Sequence, residues 1–87
     1  MKIPSEIRRV QHDVIISGRR TTMRLDQEIW RALDHIACVE NLTMDSLLTE
    51  IDRNRVEGGS LSSAVNTFVI AYAMADLTAR ADGELER

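Results

Sequence analysis

The run Arg20-Thr21-Thr22-Met23-Arg24-Leu25 constrains this chain more than any other stretch. A β-strand sends alternate side chains to opposite faces, so Thr21, Met23 and Leu25 share a dry face while Arg20, Thr22 and Arg24 make a cationic one. Asp26 follows at once as an N-cap, with Glu28 in the first turn. Ile29, Trp30, Leu33, Ile36 and Ala37 then recur at helical spacing, with Glu40 breaking the stripe near its end, which predicts a first helix from about Gln27 to Glu40. A strand that runs straight into a helix exposes an unpaired edge. Two partners are open to it. One is the short β-branched run Asp13-Val14-Ile15-Ile16, which ends at the turn signal Ser17-Gly18. The other, and the simpler, is the same strand of a second copy, which makes dimerisation a consequence of backbone hydrogen bonding.

Two more helices follow. Asn41 can take the left-handed conformation that ends the first, and Thr43 caps a second that carries Met44, Leu47, Leu48 and Ile51 on its apolar face and is expected to stop at Gly58-Gly59. Ser60 caps a third, along which Leu61, Ala64, Val65, Phe68, Val69, Tyr72 and Ala75 form a broad stripe. Beyond Thr78 the charged end is expected to fray. The chain thus divides into a basic arm over 1–18 that includes the short strand candidate, a strand-and-helices domain over 19–78, and a charged tail over 79–87.

Charge is distributed unevenly. The net value is −3, which alone argues against a polyanionic partner. Yet residues 1–24 hold Lys2, Arg8, Arg9, Arg19, Arg20 and Arg24 against only Glu6 and Asp13, while the remaining residues hold five Arg against twelve acids. That is a basic face or arm on an acidic body. Trp30, Phe68 and Tyr72 are the only aromatic residues, too few for a base-stacking platform on single-stranded nucleic acid. A lone Cys38 excludes an internal disulfide and fits a reducing compartment, so a cytoplasmic location is expected. The interrupted N-terminus is no signal peptide, and the stretch 61–77 is short for a bilayer span.

The strand, the Asp26 cap, the Asn41-Leu42-Thr43 turn and the second helix closely resemble the ribbon-helix-helix repressors of the MetJ and Arc type, over about Arg19 to Gly58. The resemblance implies a mostly α fold: a homodimer with one ribbon strand per chain forming an intersubunit antiparallel sheet, two helices, and here a C-terminal third helix. Glu50-Ile51-Asp52, Arg55 and Leu61-Ser62-Ser63-Ala64 look like a bacterial subgroup of that family. It further implies that the ribbon enters the major groove of double-stranded DNA with Arg20, Thr22 and Arg24 at the bases. Arg suits guanine and Thr suits a base edge or a thymine methyl. The second helix of the family clamps a phosphate at its N-terminus, which carries over to Thr43 and Met44, although Asp45 puts a competing carboxylate there. Arg19, Arg8, Arg9 and Lys2 are the further candidates for phosphate contact. The expected function is sequence-specific transcriptional repression, with no cofactor.

Other features have plainer readings. His35 and Cys38, three apart, could hold a metal only if a second chain completed the site, so a surface histidine and a buried thiol are expected. Asp52 and Arg55 suit an i,i+3 ion pair. No phosphate loop, nucleophile-base pair or metal triad suggests an enzyme. The alternative function is an antitoxin-like or adaptor protein, in which the helix over 61–77 and the acidic tail bind a protein partner. The same stripe leaves an oligomer larger than a dimer open.

Overall fold

The computed structural model describes residues 8–85, with side chains as far as residue 79. Five elements follow one another: β1 (Arg9–Ile16), β2 (Arg19–Asp26), α1 (Gln27–Val39), α2 (Met44–Arg53) and α3 (Leu61–Leu85). The strands form an antiparallel hairpin in register from Arg9 opposite Asp26 to Ile16 opposite Arg19. Ser17 and Gly18 between them have φ of 52° and 80°. Two consecutive positive φ values make the tight turn whose twist matches that of the flanking strands. The expectation of one ribbon strand per chain is thereby corrected. The stretch read as an arm supplies a full eight-residue strand, and a two-residue turn closes the pair locally before any second copy is needed.

The hairpin keeps the predicted alternation. Met23 and Leu25 are buried beneath β2, and Val14 and Ile16 beneath β1. Trp30, Leu33, Ile36 and Ala37 of α1, Leu47, Leu48 and Ile51 of α2, and Val65 of α3 complete a single core. The Trp30 indole Nε1 donates to the Val10 carbonyl at 2.8 Å, and the His12 ring meets the Trp30 ring edge-on, with centroids 4.7 Å apart. Trp30 thus ties the start of β1 to α1 while leaving its own N–H satisfied.

The helix ends divide into those the sequence foretold and those it did not. Asn41 is left-handed, with φ of 58°. Its N–H donates to the Cys38 carbonyl and that of Leu42 to the Ala37 carbonyl, the paired bonds of a Schellman ending. Thr43 accepts from the Ser46 N–H at 3.1 Å and Ser60 from the Ser63 N–H at 3.1 Å, as capping residues do. Asp26 holds the capping position but makes no side-chain cap bond. Its carboxylate lies 3.5 Å from Arg9 Nε across the hairpin, and the Gln27 N–H donates instead to the Arg8 carbonyl.

The second helix ends at Arg53, short of the expected Gly58-Gly59, because the Asn54 side-chain amide turns back onto the Glu50 carbonyl. The third continues past Thr78 to Leu85, through residues such as Ala, Arg and Leu that lose little on entering a helix. On α3, Leu61, Ala64, Phe68, Val69 and Tyr72 pack against the core, while Ile70, Met74 and Leu77 remain exposed. Burial, reinforced by the charges of Glu40 and Asp76, holds the Tyr72 phenol above its usual pKa, so it ionises less readily. No helix among the described residues is long and apolar enough to cross a membrane.

Leu33 and Leu48 have no exposed surface at all. Replacing Leu48 with alanine is expected to lower stability by about 2–5 kcal/mol, as a cavity at a site that cannot collapse does, read from the midpoint of a urea titration.

Candidate nucleic-acid interface

The strand positions singled out by the alternation all lie on one surface. Arg20, Thr22 and Arg24 are exposed on the hairpin face away from the core, and their cross-strand neighbours Ile15, Asp13 and Gln11 are exposed there too. Arg19 is exposed at the turn end. Sequence reasoning finds the end of β1, from Asp13 to Ile16, but misses its start, because the stretch Arg9 to His12 carries too few β-formers to read as a strand; Val10, in phase with Val14 and Ile16, is the available clue.

Hydrogen bonding fixes which way the backbone of each strand faces. The Ile15 N–H donates to Asp45 Oδ1 at 3.0 Å, away from β2. Ile15 and Arg20 therefore form a non-hydrogen-bonded pair, and alternation gives the same character to Asp13 with Thr22 and Gln11 with Arg24. The backbone groups of Arg20, Thr22 and Arg24 consequently point off the outer edge of β2. Among the described residues no side chain bonds them. The β1 edge is different at its turn end, where Asp45 takes the Ile15 amide, Thr49 Oγ1 accepts from the Ser17 N–H at 3.0 Å, and Asp52 Oδ2 accepts from Ser17 Oγ at 3.3 Å.

Charge pairing is similarly uneven. Arg9, Arg31, Arg53 and Arg55 each hold a carboxylate, that of Asp26, Glu28, Glu50 and Asp52 respectively. Arg19, Arg20 and Arg24 form no ion pair among the described residues. Thr22 Oγ1 sits between the latter two and donates to Asp13 Oδ1 at 2.9 Å. Isolated cations on an exposed strand face suit an external anion or a guanine edge.

The other candidates are more scattered. Thr43 Oγ1 is committed to Ser46, leaving the first backbone N–H groups of α2, near Met44, without an acceptor inside the helix. Asp45 does not sit over those donors. One of its carboxylate oxygens accepts instead from the edge of β1, while its negative charge stays in the first turn of α2. Met44, Asp45 and Asp13 line one groove of about 510 Å³ with His12 and Trp30, so the start of α2 and the ribbon border the same surface. Arg8 and Arg9 lie at the start of β1, and Lys2 lies outside the described residues. The pair Asp52 and Arg55 closes at 2.9 Å, and Arg55 also donates to the Gly59 carbonyl. Cys38 is exposed, correcting the buried thiol, because its position falls off the α1 stripe. No group of three metal-ligating side chains occurs among the described residues.

A family model described as a ribbon-helix-helix domain matches residues 9–73, from the first residue of β1 well into α3. No curated protein and no solved structure gives a significant match.

Asp45 acts here as a strand-edge acceptor. Its replacement by alanine is expected to lower stability by about 1 kcal/mol and to speed hydrogen exchange at the Ile15 amide, whereas Asp45→Asn, which still offers an acceptor oxygen, retains most of both.

Proposed function

The chain belongs to the ribbon-helix-helix domain family, whose members bind DNA as transcription regulators and form dimers, and we propose that it is a sequence-specific, homodimeric transcriptional repressor. The observation that carries the reading is the pair Arg20 and Arg24 on an exposed strand face, with no ion pair among the described residues, whereas Arg9, Arg31, Arg53 and Arg55 are held by carboxylates. A ribbon of two strands fits the major groove, and in the proposed dimer that ribbon is the central pair of β2 strands. Guanidinium groups there bond bidentately to guanine O6 and N7, and Thr22 lies between them.

Dimerisation uses the outer edge of β2. The outward backbone groups of Arg20, Thr22 and Arg24 pair with the same strand of a second copy, giving an antiparallel order β1-β2-β2-β1 with the two β2 strands central. Each copy thus places three reading side chains about a two-fold axis, and the β1 strands flank the central pair on the phosphate side. The α2 start at Thr43 and Met44 supplies N–H groups to a phosphate, and Arg19, Arg8, Arg9 and Lys2 supply cations near the backbone. The acidic remainder of the chain keeps non-specific affinity low.

A second reading makes DNA binding secondary and gives α3 a protein partner, in the manner of an antitoxin or adaptor. Ile70, Met74 and Leu77 favour it, since they stand exposed at i, i+4 and i+7. It predicts a stoichiometric partner in pull-downs that is lost in Ile70→Glu; loss of self-association alone in that variant removes the reading.

Fluorescence anisotropy with selected duplexes is expected to give binding that weakens steeply with salt, and Arg24→Ala to weaken specific binding roughly 5- to 150-fold, the equivalent of 1–3 kcal/mol per base contact. Indifference to both salt and Arg24 overturns the DNA reading. Thr22→Pro removes one outward N–H while sparing the hairpin bonds. Sedimentation is expected to shift from dimer towards monomer in that variant, with helical circular dichroism retained.

A further inference from the structure

We propose that Asp13, a residue of β1 rather than of the reading strand, sets the base preference of the ribbon by fixing Thr22 as a hydrogen-bond acceptor. The inference rests on the DNA reading above and deepens it. A threonine hydroxyl carries one proton and two lone pairs, so by itself it reads donors and acceptors alike. Here Thr22 Oγ1 lies 2.9 Å from Asp13 Oδ1 across a non-hydrogen-bonded pair of the hairpin. A carboxylate has no proton to give, so the hydroxyl proton belongs to that bond. What Thr22 turns outward is its lone pairs.

The consequence is a divided chemistry along one face. Arg20 and Arg24 only donate, whereas Thr22 and Asp13 between them only accept. In the major groove the donors are the adenine N6 and cytosine N4 amino groups, and the acceptors are guanine N7 and O6, adenine N7 and thymine O4. The centre of the ribbon therefore selects adenine or cytosine on the strand it faces and disfavours guanine or thymine there, while the flanking arginines select guanine. Asp13 is exposed and holds no ion pair among the described residues. Its charge lies near the phosphates and depresses affinity for every sequence. Asp13 thus trades general affinity for discrimination, a positioning role exercised through Thr22.

The same hydrogen bond could be a cross-strand tie and nothing more, so the test reads base preference rather than stability. Randomised duplexes are selected with the full chain, with Asp13→Asn and with Thr22→Val, and the step read by Thr22 is the one whose preference changes in Thr22→Val. At that step the unmodified protein is expected to favour adenine or cytosine about tenfold over guanine or thymine, one good contact being worth that factor. The side-chain amide introduced by Asp13→Asn can donate to Thr22 and free its proton, so discrimination in that variant is expected to fall below about threefold. Guanine preference at the arginine steps stays, and affinity for unrelated duplex rises. Unchanged preference in Asp13→Asn, with only a lower unfolding midpoint, overturns the proposal while leaving the DNA reading intact. So does a wild-type preference for guanine or thymine at that step. Absence of salt-sensitive duplex binding by the wild-type protein overturns both together.

Discussion

Two residues in the left-handed region, Ser17 and Gly18, decide how β1 meets β2, and the rest of the molecule inherits that decision. Side chains alternate with a period of two, so a slip of one residue in the hairpin would set the inner side chains of one strand against the outer ones of the other, carrying either Val14 and Ile16 or Met23 and Leu25 to solvent. The turn is held from outside as well. The backbone and side chain of Ser17 are both engaged by α2, through Thr49 and Asp52, and Asp52 is itself paired with Arg55. Ser17 has a Cβ in a conformation that costs a non-glycine residue about 1–2 kcal/mol. Its bonds to α2 offset part of that cost, and they explain why a serine is tolerated at a position where glycine or asparagine is the usual choice.

Much of this is legible in the residues, and the failures have identifiable causes. The alternation in β2 reveals both of its faces, because a half-buried strand has to segregate its side chains. The Schellman ending at Asn41 and the caps at Thr43 and Ser60 follow from chemistry confined to a few neighbouring residues, which local sequence carries. The start of β1 does not show itself, since polar His12, in phase with the inner positions, interrupts the alternation; it stays exposed and meets the Trp30 ring edge-on. Asp26 looks like a cap by local rules, but its carboxylate lies near Arg9, a neighbour that exists only once the hairpin has formed. Asp45 misleads for the same reason. Its acidic character near a helix start is plain, whereas the strand amide it serves lies 30 residues earlier.

The candidate site divides along the same line. Arg20, Thr22 and Arg24 can be picked out from six residues of sequence. The neighbours that set their chemistry cannot, because Asp13, Gln11 and Ile15 come into play only through antiparallel register.

The outward backbone of β2 belongs to the same three residues whose side chains face away from the core. In the proposed dimer, the register with which two copies pair is therefore also the ruler for the operator. Successive outward side chains on a strand stand about 6.8 Å apart, close to two base-pair steps of roughly 3.4 Å along the duplex. A shift of two residues in the pairing of the β2 strands would move one set of readers by about that distance against the other, altering the spacing of half-sites without altering a single reading residue. Divergence in operator phasing among related chains can then arise from a change of pairing register alone, with every reading side chain kept.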